Sequence, residues 1–286
     1  MTYTWIYEHE DQFPVGSMCQ MLGVSRSGYY AWKERPQSAR TQANAELLGK
    51  VRQAFSHSRR TYGSRRIQRY WARQGYCFSR HRIARLMAQD HLVPLRHAKW
   101  HPTTTQPRRG ARTAPNWLGQ NFQASHPNEK WVGDITYIDT AEGWLYLAVI
   151  LDLYSRRIVG WAMSEQLDTQ LVIQTWQMAV LQRQPTAGLL HHTDRGSQYT
   201  SQAYLHLLEL AHCQVSMSRT GNCYDNAVME SFHATLKGEC ALGQFATRAE
   251  ARTAIFDFIE VWYNRQRLHS TLGYLSPAEF EQTSGH

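Results

Sequence analysis

Three carboxylates stand where they could do chemistry: Asp134 in Trp131-Val132-Gly133-Asp134-Ile135-Thr136, Asp194 in His191-His192-Thr193-Asp194-Arg195-Gly196, and Glu230 in Asp225-Asn226-Ala227-Val228-Met229-Glu230. Thirty-five residues lie between the second and the third. The first sits in a hydrophobic strand pattern, the second at a strand end and the third in a helical pattern, so an α/β fold could gather them as oxygen ligands for divalent metal. Hard cations such as Mg²⁺ take few carboxylates and leave positions open for phosphate oxygens. That is the apparatus of phosphoryl transfer on nucleic acid. Chance supplies many acidic triples among 23 Asp and Glu residues, and a lone Asp at a strand end is ordinarily a turn former or helix cap. The neighbouring residues must carry the case.

Around Glu230 a helix is predicted in which Asn226, Glu230, His233 and Lys237 share one polar face, while Val228, Phe232, Thr235 and Leu236 line the opposite one. Such a helix can pack on a sheet and present a carboxylate, an imidazole and an ammonium together. The preceding segment, Ser218 to Asp225, contains Gly221 and reads as mobile enough to close over a substrate.

The chain resembles the DDE transposases of the bacterial insertion-sequence-three family, specifically the second-reading-frame protein often called OrfB. The residues that carry the resemblance are Tyr62-Gly63-Ser64-Arg65-Arg66-Ile67, Pro127-Asn128-Glu129-Lys130-Trp131 leading to Asp134, and Tyr154-Ser155-Arg156-Arg157-Ile158-Val159-Gly160-Trp161. The Asp194 and Glu230 blocks with Lys237 follow, then a tail reading Tyr263-Asn264-Arg265, Arg267-Leu268-His269-Ser270 and Leu272-Gly273-Tyr274. The family often has an aromatic residue where Ser64 stands. The resemblance implies metal-dependent strand cleavage and strand transfer, with Asp134, Asp194 and Glu230 as catalytic residues and metal ligands. Two Mg²⁺ ions about 3.5–4 Å apart are expected, with Asp134 bridging them and Mn²⁺ able to substitute. The resemblance also implies contact of Lys237 with terminal DNA, recognition of terminal inverted repeats and target DNA, and action as a homo-oligomer through a circular DNA intermediate. A partner is implied as well: an upstream-reading-frame protein, or its frameshift fusion with this chain.

The charge is divided unevenly. Residues 1–112 hold 20 Lys and Arg against 6 Asp and Glu, whereas residues 113–286 hold 11 against 17. A basic amino-terminal region reads as a DNA-binding footprint. Within it, Val15 to Leu22, the turn Gly23-Val24-Ser25, and Arg26 to Glu34 form a predicted helix-turn-helix. Ser25 would cap the second helix and leave Arg26 and Ser27 at its amino end, where base edges are met. Another helix is expected at Glu46 to Phe55, then a second helical pair at Ser64 to Gln74 and Ser79 to Gln89. That pair offers Arg65, Arg66, Arg69, Arg80, Arg82 and Arg85 to phosphates.

Pro102, Pro107, Pro115 and Pro127 mark residues 100–128 as an extended linker. Strands are predicted at Lys130–Asp139, Trp144–Leu153, Arg157–Met163, Gly188–Thr193 and Gln214–Met217, with helices at Thr169–Gln182 and Ser201–Ala211. This order matches an RNase H-like mixed sheet, an α/β catalytic core preceded by a small all-α helix-turn-helix region. The expected division is 1–99, DNA binding; 100–128, linker; 129–242, catalytic core; and 243–286, a carboxyl-terminal helix and basic tail. Thr247 and Glu250 form a predicted capping box ahead of the apolar stripe Ala251, Ala254, Ile255, Phe258, Ile259 and Trp262. Arg265, Arg267 and His269 after it either meet DNA or pair with acidic neighbours.

The classes excluded are few and clear. Glu8, Glu10 and Asp11 interrupt any amino-terminal signal, and the longest apolar stretch, Leu145 to Leu151, falls far short of the roughly 20 residues of a membrane span. A cytoplasmic, bacterial protein is expected. Cys19, Cys77, Cys213, Cys223 and Cys240 contain no Cys-x-x-Cys pair, so they read as reduced thiols packed as small hydrophobes. His191 and His192 alternate along a strand, and no His-His-Cys-Cys zinc module of the retroviral-integrase type is present. Two rivals to the transposase reading remain: a tyrosine recombinase built on Tyr263, Arg265, Arg267 and His269, and a non-catalytic DNA-binding or regulatory protein derived from a transposase.

Overall fold

The computed structural model describes residues 2–35, 38–95, 113–219 and 222–284. The chain forms two compact units, residues 1–53 and 54–286.

The first unit holds helices α1 (Thr2–Glu8), α2 (Val15–Met21) and α3 (Arg26–Glu34), and α4 (Ala39–His57) begins in it. Ile6, Met18, Cys19 and Tyr29 form its buried core. Gly23 takes φ +65° in the turn between α2 and α3, where a side chain would be strained. Ser25 caps α3 as expected, its Oγ accepting the Gly28 N–H at 3.1 Å. Helix α1 was not anticipated from the sequence. Its seven residues bury only Ile6.

In the second unit, α5 (Ser64–Ala72) and α6 (Arg80–Gln89) pack together through Ile67, Trp71, Ile83, Leu86 and Met87. Five strands follow: β1 (Lys130–Ile138), β2 (Leu145–Asp152), β3 (Ile158–Ser164), β4 (Leu190–Thr193) and β5 (Gln214–Met217). Their order is β3-β2-β1-β4-β5, with β1, β2 and β3 antiparallel and β4 and β5 parallel to β1. This is the mixed α/β sheet the sequence predicts.

Helix α7 (Thr169–Arg183) covers β2 and β3. A Cβ on Gly160 would come 2.4 Å from the Thr175 carbonyl oxygen and 2.7 Å from Ala179 Cβ. Only glycine allows so close a helix–strand approach. Helices α8 (Gln202–Leu210), α9 (Ala227–Glu239), α10 (Arg248–Phe256) and α11 (Pro277–Ser284) complete the unit. Helix α10 runs on into wider turns over Asp257–Tyr263, which bury Phe258, Ile259, Trp262 and Tyr263. Thr247 Oγ1 accepts the Glu250 N–H at 3.1 Å, but Glu250 reaches back to the Ala246 N–H rather than to that of Thr247. The Asn264 side chain behaves like a strand at the sheet edge: it accepts the Ile158 N–H at 2.9 Å and donates to the Ile158 carbonyl at 3.0 Å.

Residues 113–128 contain no helix or strand, and the rest of the predicted linker, residues 100–112, lies outside the described residues. The described part is firmly held. Met217 N–H donates to the Pro115 carbonyl at 3.2 Å, and the Trp117 and Leu118 N–H groups donate to Ser216 Oγ. The segment thereby covers the otherwise open edge of β5. Among the described cysteines none is disulfide-bonded, and Cys77 is exposed rather than packed. No helix among the described residues is long and apolar enough to cross a membrane.

Candidate active site

Sheet register brings the first two carboxylates side by side. Parallel pairing sets His192 opposite Val132, so two residues further on Asp194 leaves β4 beside Asp134. Asp134 Oδ1 accepts the Ile135 N–H at 2.9 Å. Asp194 Oδ1 accepts the Gly196 N–H at 2.9 Å, and a Cβ at Gly196 would stand 3.1 Å from that oxygen. Each aspartate thus has one oxygen committed to the backbone. The turn after Asp194 fits glycine best.

Glu230 enters from α9, whose first turn crosses β1. Asn226 anchors the crossing by donating from Nδ2 to the Gly133 carbonyl at 3.3 Å. The expected polar face is real, but it is not a solvated one: Asn226 and His233 are buried, Glu230 and Lys237 half-buried, and the exposed positions are Ser231 and Ala234. The polar face packs toward Asp134 because Phe232 and Leu236 are also buried, which leaves only a narrow strip of α9 for solvent.

Electrostatics record the convergence. Burial first, then the charge of Asp194 and more weakly that of Glu230, hold the Asp134 carboxyl well above the ordinary range, against the Ile135 N–H and Lys237. Asp134 still keeps 22% of its side-chain surface open. Burial also raises Glu230. His233 Nδ1 lies 3.6 Å from Asp134 Oδ2, and burial, with Lys237, pushes the imidazole down to about 3, so it is neutral. Burial lowers the Lys237 ammonium while Asp134 supports it. Glu239 accepts from Arg267 Nη2 at 2.7 Å and from the Trp262 indole N–H at 3.1 Å.

The segment before α9 is pinned at the residues described. Ser218 N–H donates to the Thr193 carbonyl at 2.9 Å. Asp225 is fully buried and accepts from Arg219 N–H, Nε and Nη2 and from Gln120 Nε2, all at 2.8–3.0 Å. Thr220 and Gly221, at the centre of the segment expected to close over substrate, lie outside the described residues. Sequence reasoning missed Gln120, Arg219, Asp225 and Tyr199. Tyr199 is buried, its hydroxyl pushed up by burial and by Asp134. Its place in the Asp194 block was the available signal for Tyr199, as adjacency to Asn226 was for Asp225. Nothing marked Gln120.

Among the basic candidates, Arg26 and Ser27 are exposed on the first turn of α3. Arg65 is exposed, Arg66 is half-buried over the Tyr62 ring, and Arg80 and Arg82 are half-buried on the first turn of α6. His191 and His192 are buried, bonding Tyr204 on one side and Ser216 and Ser218 on the other. In the carboxyl-terminal tail, Arg267 pairs with Glu239 and Arg265 is exposed. Tyr263 is 3% exposed, its hydroxyl pushed up to about 12 by burial. It is in no position to attack DNA, which removes the tyrosine-recombinase reading.

Comparison with known proteins places the chain in a family. Residues 124–223 match one Integrase core domain family, residues 211–277 a second family of that description, and residues 42–100 an HTH-like domain. The Transposase InsF for insertion sequence IS3A of Escherichia coli K12 is 41% identical over 284 residues, 98% of each chain. A 31 kDa protein of insertion element IS600 from Shigella sonnei is 45% identical over 266 residues, 93% of this chain and 97% of that one. The HTLV-2 integrase catalytic core domain, solved in complex with magnesium, is 16% identical and aligns over 56% of this chain and 99% of that one, with a TM-score of 0.42. By its near full-length identity to InsF and its integrase-core matches, the chain belongs to the insertion-sequence-three transposases, DNA-binding polynucleotidyl transferases of the DDE type.

Proposed function

We propose that Asp134, Asp194 and Glu230 are the catalytic carboxylates of this transposase and hold its divalent metal, two Mg²⁺ ions with Mn²⁺ as a substitute. The observation that carries the reading is the strand register that sets Asp194 beside Asp134, with Asn226 tying the start of the Glu230 helix to Gly133; burial and then the charges of Asp194 and Glu230 raise the Asp134 carboxyl. A divalent cation relieves that repulsion. The donor set fits one: all three side chains offer hard oxygens, and the buried Asn226 Oδ1 beside them has no hydrogen-bond partner among the described residues. Among the described residues no three His, Cys, Asp or Glu side chains are drawn tightly enough to close a coordination sphere. When bound, metal in such a site activates the attacking oxygen and stabilises the leaving one in an in-line displacement.

The rest belongs to the chain's own side chains. Ile135 N–H and Gly196 N–H each fix one aspartate oxygen and leave the other free for a ligand. Neutral His233 stands 3.6 Å from the other Asp134 oxygen without neutralising it. Lys237, two turns along α9 from Glu230, holds a phosphate or base edge of terminal DNA. Arg26 and Ser27 meet base edges, and Arg65, Arg66, Arg80 and Arg82 meet phosphates. The finer division is residues 1–99 for end binding, 100–128 as a connector, 129–242 as catalytic core and 243–286 completing it. The DNA bound is the element's terminal inverted repeats and the target. The protein acts in the cytoplasm as a homo-oligomer, with the upstream-frame product as partner or as fused segment.

The test is incubation of a duplex in which the element terminus is joined to flanking donor DNA with this chain, alone and fused to the upstream frame, in Mg²⁺ or in EDTA. Mg²⁺-dependent release of a 3′-hydroxyl at the terminus is expected. Folded protein that binds the end and never cuts it in either form would establish the non-catalytic alternative.

A further inference from the structure

The hairpin that joins β1 to β2 carries aromatic rings that the carboxylate site does not use. Tyr137 stands opposite Tyr146 in the antiparallel register, and their rings meet edge to face at 5.2 Å. Trp144 closes on Tyr137 at 6.0 Å, also edge to face. Tyr146 is half-buried and packs on the core cluster that includes Trp176, whereas Tyr137 is 46% and Trp144 51% exposed. The three rings thus form a step that is anchored at one end and open to solvent at the other. Contiguous exposed apolar surface of this kind marks a contact site.

The step is held from the carboxyl-terminal side. The Ala141 N–H donates to the Phe245 carbonyl at 2.8 Å, and the Phe245 N–H donates to the Asp139 carbonyl at 3.1 Å. The hairpin's two carboxylates are engaged with the same segment: Asp139 accepts from Gln244 Nε2 at 3.1 Å and Glu142 from the Arg248 N–H at 2.8 Å. Residues 137–146 contain no Lys, Arg or His. The step therefore offers π faces and no partner for a phosphate. What it fits is a flat, uncharged ring.

Its place follows from the sheet. The ladder between β1 and β4 ends at Val132 and His192, so from Asp134 onward β1 has a strand neighbour only in β2 among the described residues. Tyr137 lies three residues beyond Asp134, about 10 Å along the strand. A nucleic-acid strand advances about 3.4 Å per nucleotide, so the step stands about three nucleotides from a bond held at the carboxylates. Alternation sets Tyr137 on the face opposite Asp134, and the free edge of β1 lies between the two. The Tyr137 hydroxyl, raised by burial and by Tyr146, also feels the charges of Asp194 and Asp134.

We propose that Tyr137, Trp144 and Tyr146 form a stacking platform for one unpaired base of the DNA, about three nucleotides from the cleaved bond. The distance to the cleaved bond rests on Asp134, Asp194 and Glu230 being the catalytic carboxylates; the platform itself does not. DNA is the favoured occupant because the rings adjoin the reacting site of a chain that acts on DNA. Every base has a π face, so stacking on aromatic side chains needs no particular sequence. A base held there keeps its pair open. That lets a single strand approach Asp134, whose side chain has only 22% of its surface open.

The test uses the full chain in EDTA, with duplexes in which the element terminus is joined to flanking donor DNA. At each position near the terminus in turn, the base facing the cleaved strand is deleted to leave an abasic site. The orphaned base then leaves the helix without the cost of unpairing. Wild type is expected to bind one or two of these duplexes about tenfold more tightly than the intact one, at about three nucleotides from the terminus. The gain should vanish in Trp144→Ala and in Tyr137→Thr, which keeps a strand-forming residue. It should persist in Tyr137→Phe, which keeps the ring. A 2-aminopurine at that position should lose fluorescence on binding wild type and retain it with Trp144→Ala. Equal gains in all four proteins, or no position with a gain, would overturn the platform. Dissociation of a DNA-free oligomer by Trp144→Ala, with the gains unchanged, would assign the rings to a second copy of the chain instead. Cleavage of the intact duplex by wild type in Mg²⁺ tests the carboxylates separately. Cleavage without any gain overturns the platform alone, and a gain without cleavage supports the platform while removing its tie to the cleaved bond. Should Tyr137→Thr fail to fold, Trp144→Ala, altered at an exposed position outside the strands, still decides.

Discussion

Asp225→Ala probes how the Glu230 helix is held. Asp225 is buried and accepts four hydrogen bonds, three from Arg219 and one from Gln120. Hydrogen bonds to charged groups contribute about 1.5–3 kcal/mol each, and they are not additive. The Arg219 side chain is 58% exposed and is rehydrated when its partner goes, so most of its share is returned by water. What remains is the Arg219 backbone N–H and the Gln120 amide, both stranded. Together they predict a loss of about 2–3 kcal/mol in stability. The clasp stands immediately before α9, so its release also loosens Glu230. If about 2 kcal/mol of that loss is felt in the transition state, cleavage slows roughly thirtyfold. Arg219 holds the Asp225 carboxyl far below its ordinary value of 3.8. The contribution is therefore complete above that value and is lost as pH falls beneath it. Urea unfolding at pH 7, beside single-turnover cleavage at saturating DNA, measures both effects. An alanine variant with wild-type midpoint and wild-type rate would refute the clasp.

Other outcomes follow from the same structure. Burial pushes His191 down to about 3 and His192 to about 4 from an ordinary 6.5. The unfolded chain thus takes protons that the native one refuses, and stability should be flat above pH 6.5 and fall by about 1.4 kcal/mol per pH unit per histidine from there toward pH 4. Equal urea midpoints at pH 7.5 and pH 5 would contradict this. Glu239→Gln leaves Arg267 buried without its counter-charge, at a cost of about 3–5 kcal/mol, read as a drop in the unfolding midpoint; a drop within error would mean that water reaches Arg267. Lys237→Ala should slow single-turnover cleavage while shifting the thermal midpoint little, and wild-type cleavage would return Lys237 to an ordinary surface role.

Much of this was legible in the residues. The hydrophobic strand pattern over Lys130–Asp139 and the long apolar run of β2 marked the strands, because apolar runs are local properties. The Asp134 and Asp194 blocks announced themselves by residue type, and Ser25 and Thr247 marked helix starts through their own hydroxyls. What stayed hidden depends on contacts far apart in sequence. The polar face of α9 turned inward because both sides of the helix found protein, and no helical periodicity distinguishes a polar face packed on a sheet from one in water. Arg267 could not be assigned without Glu239, which stands beside it from the end of α9. Gln120 reaches Asp225 across a separation of 105 residues. A lone amide in a proline-marked segment carries no local sign of such a partner.

The central claim is that Asp134, Asp194 and Glu230 act as one metal-holding unit. Its most direct test is single-turnover cleavage of element-end DNA across a Mg²⁺ titration, for wild type, Asp134→Asn, Asp194→Asn and Glu230→Gln, in the form of the protein that cleaves. Each substitution preserves shape and removes one ligand charge. The account predicts that folding and end binding persist in all three, and that cleavage is abolished at every Mg²⁺ concentration. Mg²⁺-dependent cleavage at the wild-type rate in any one of them would contradict it.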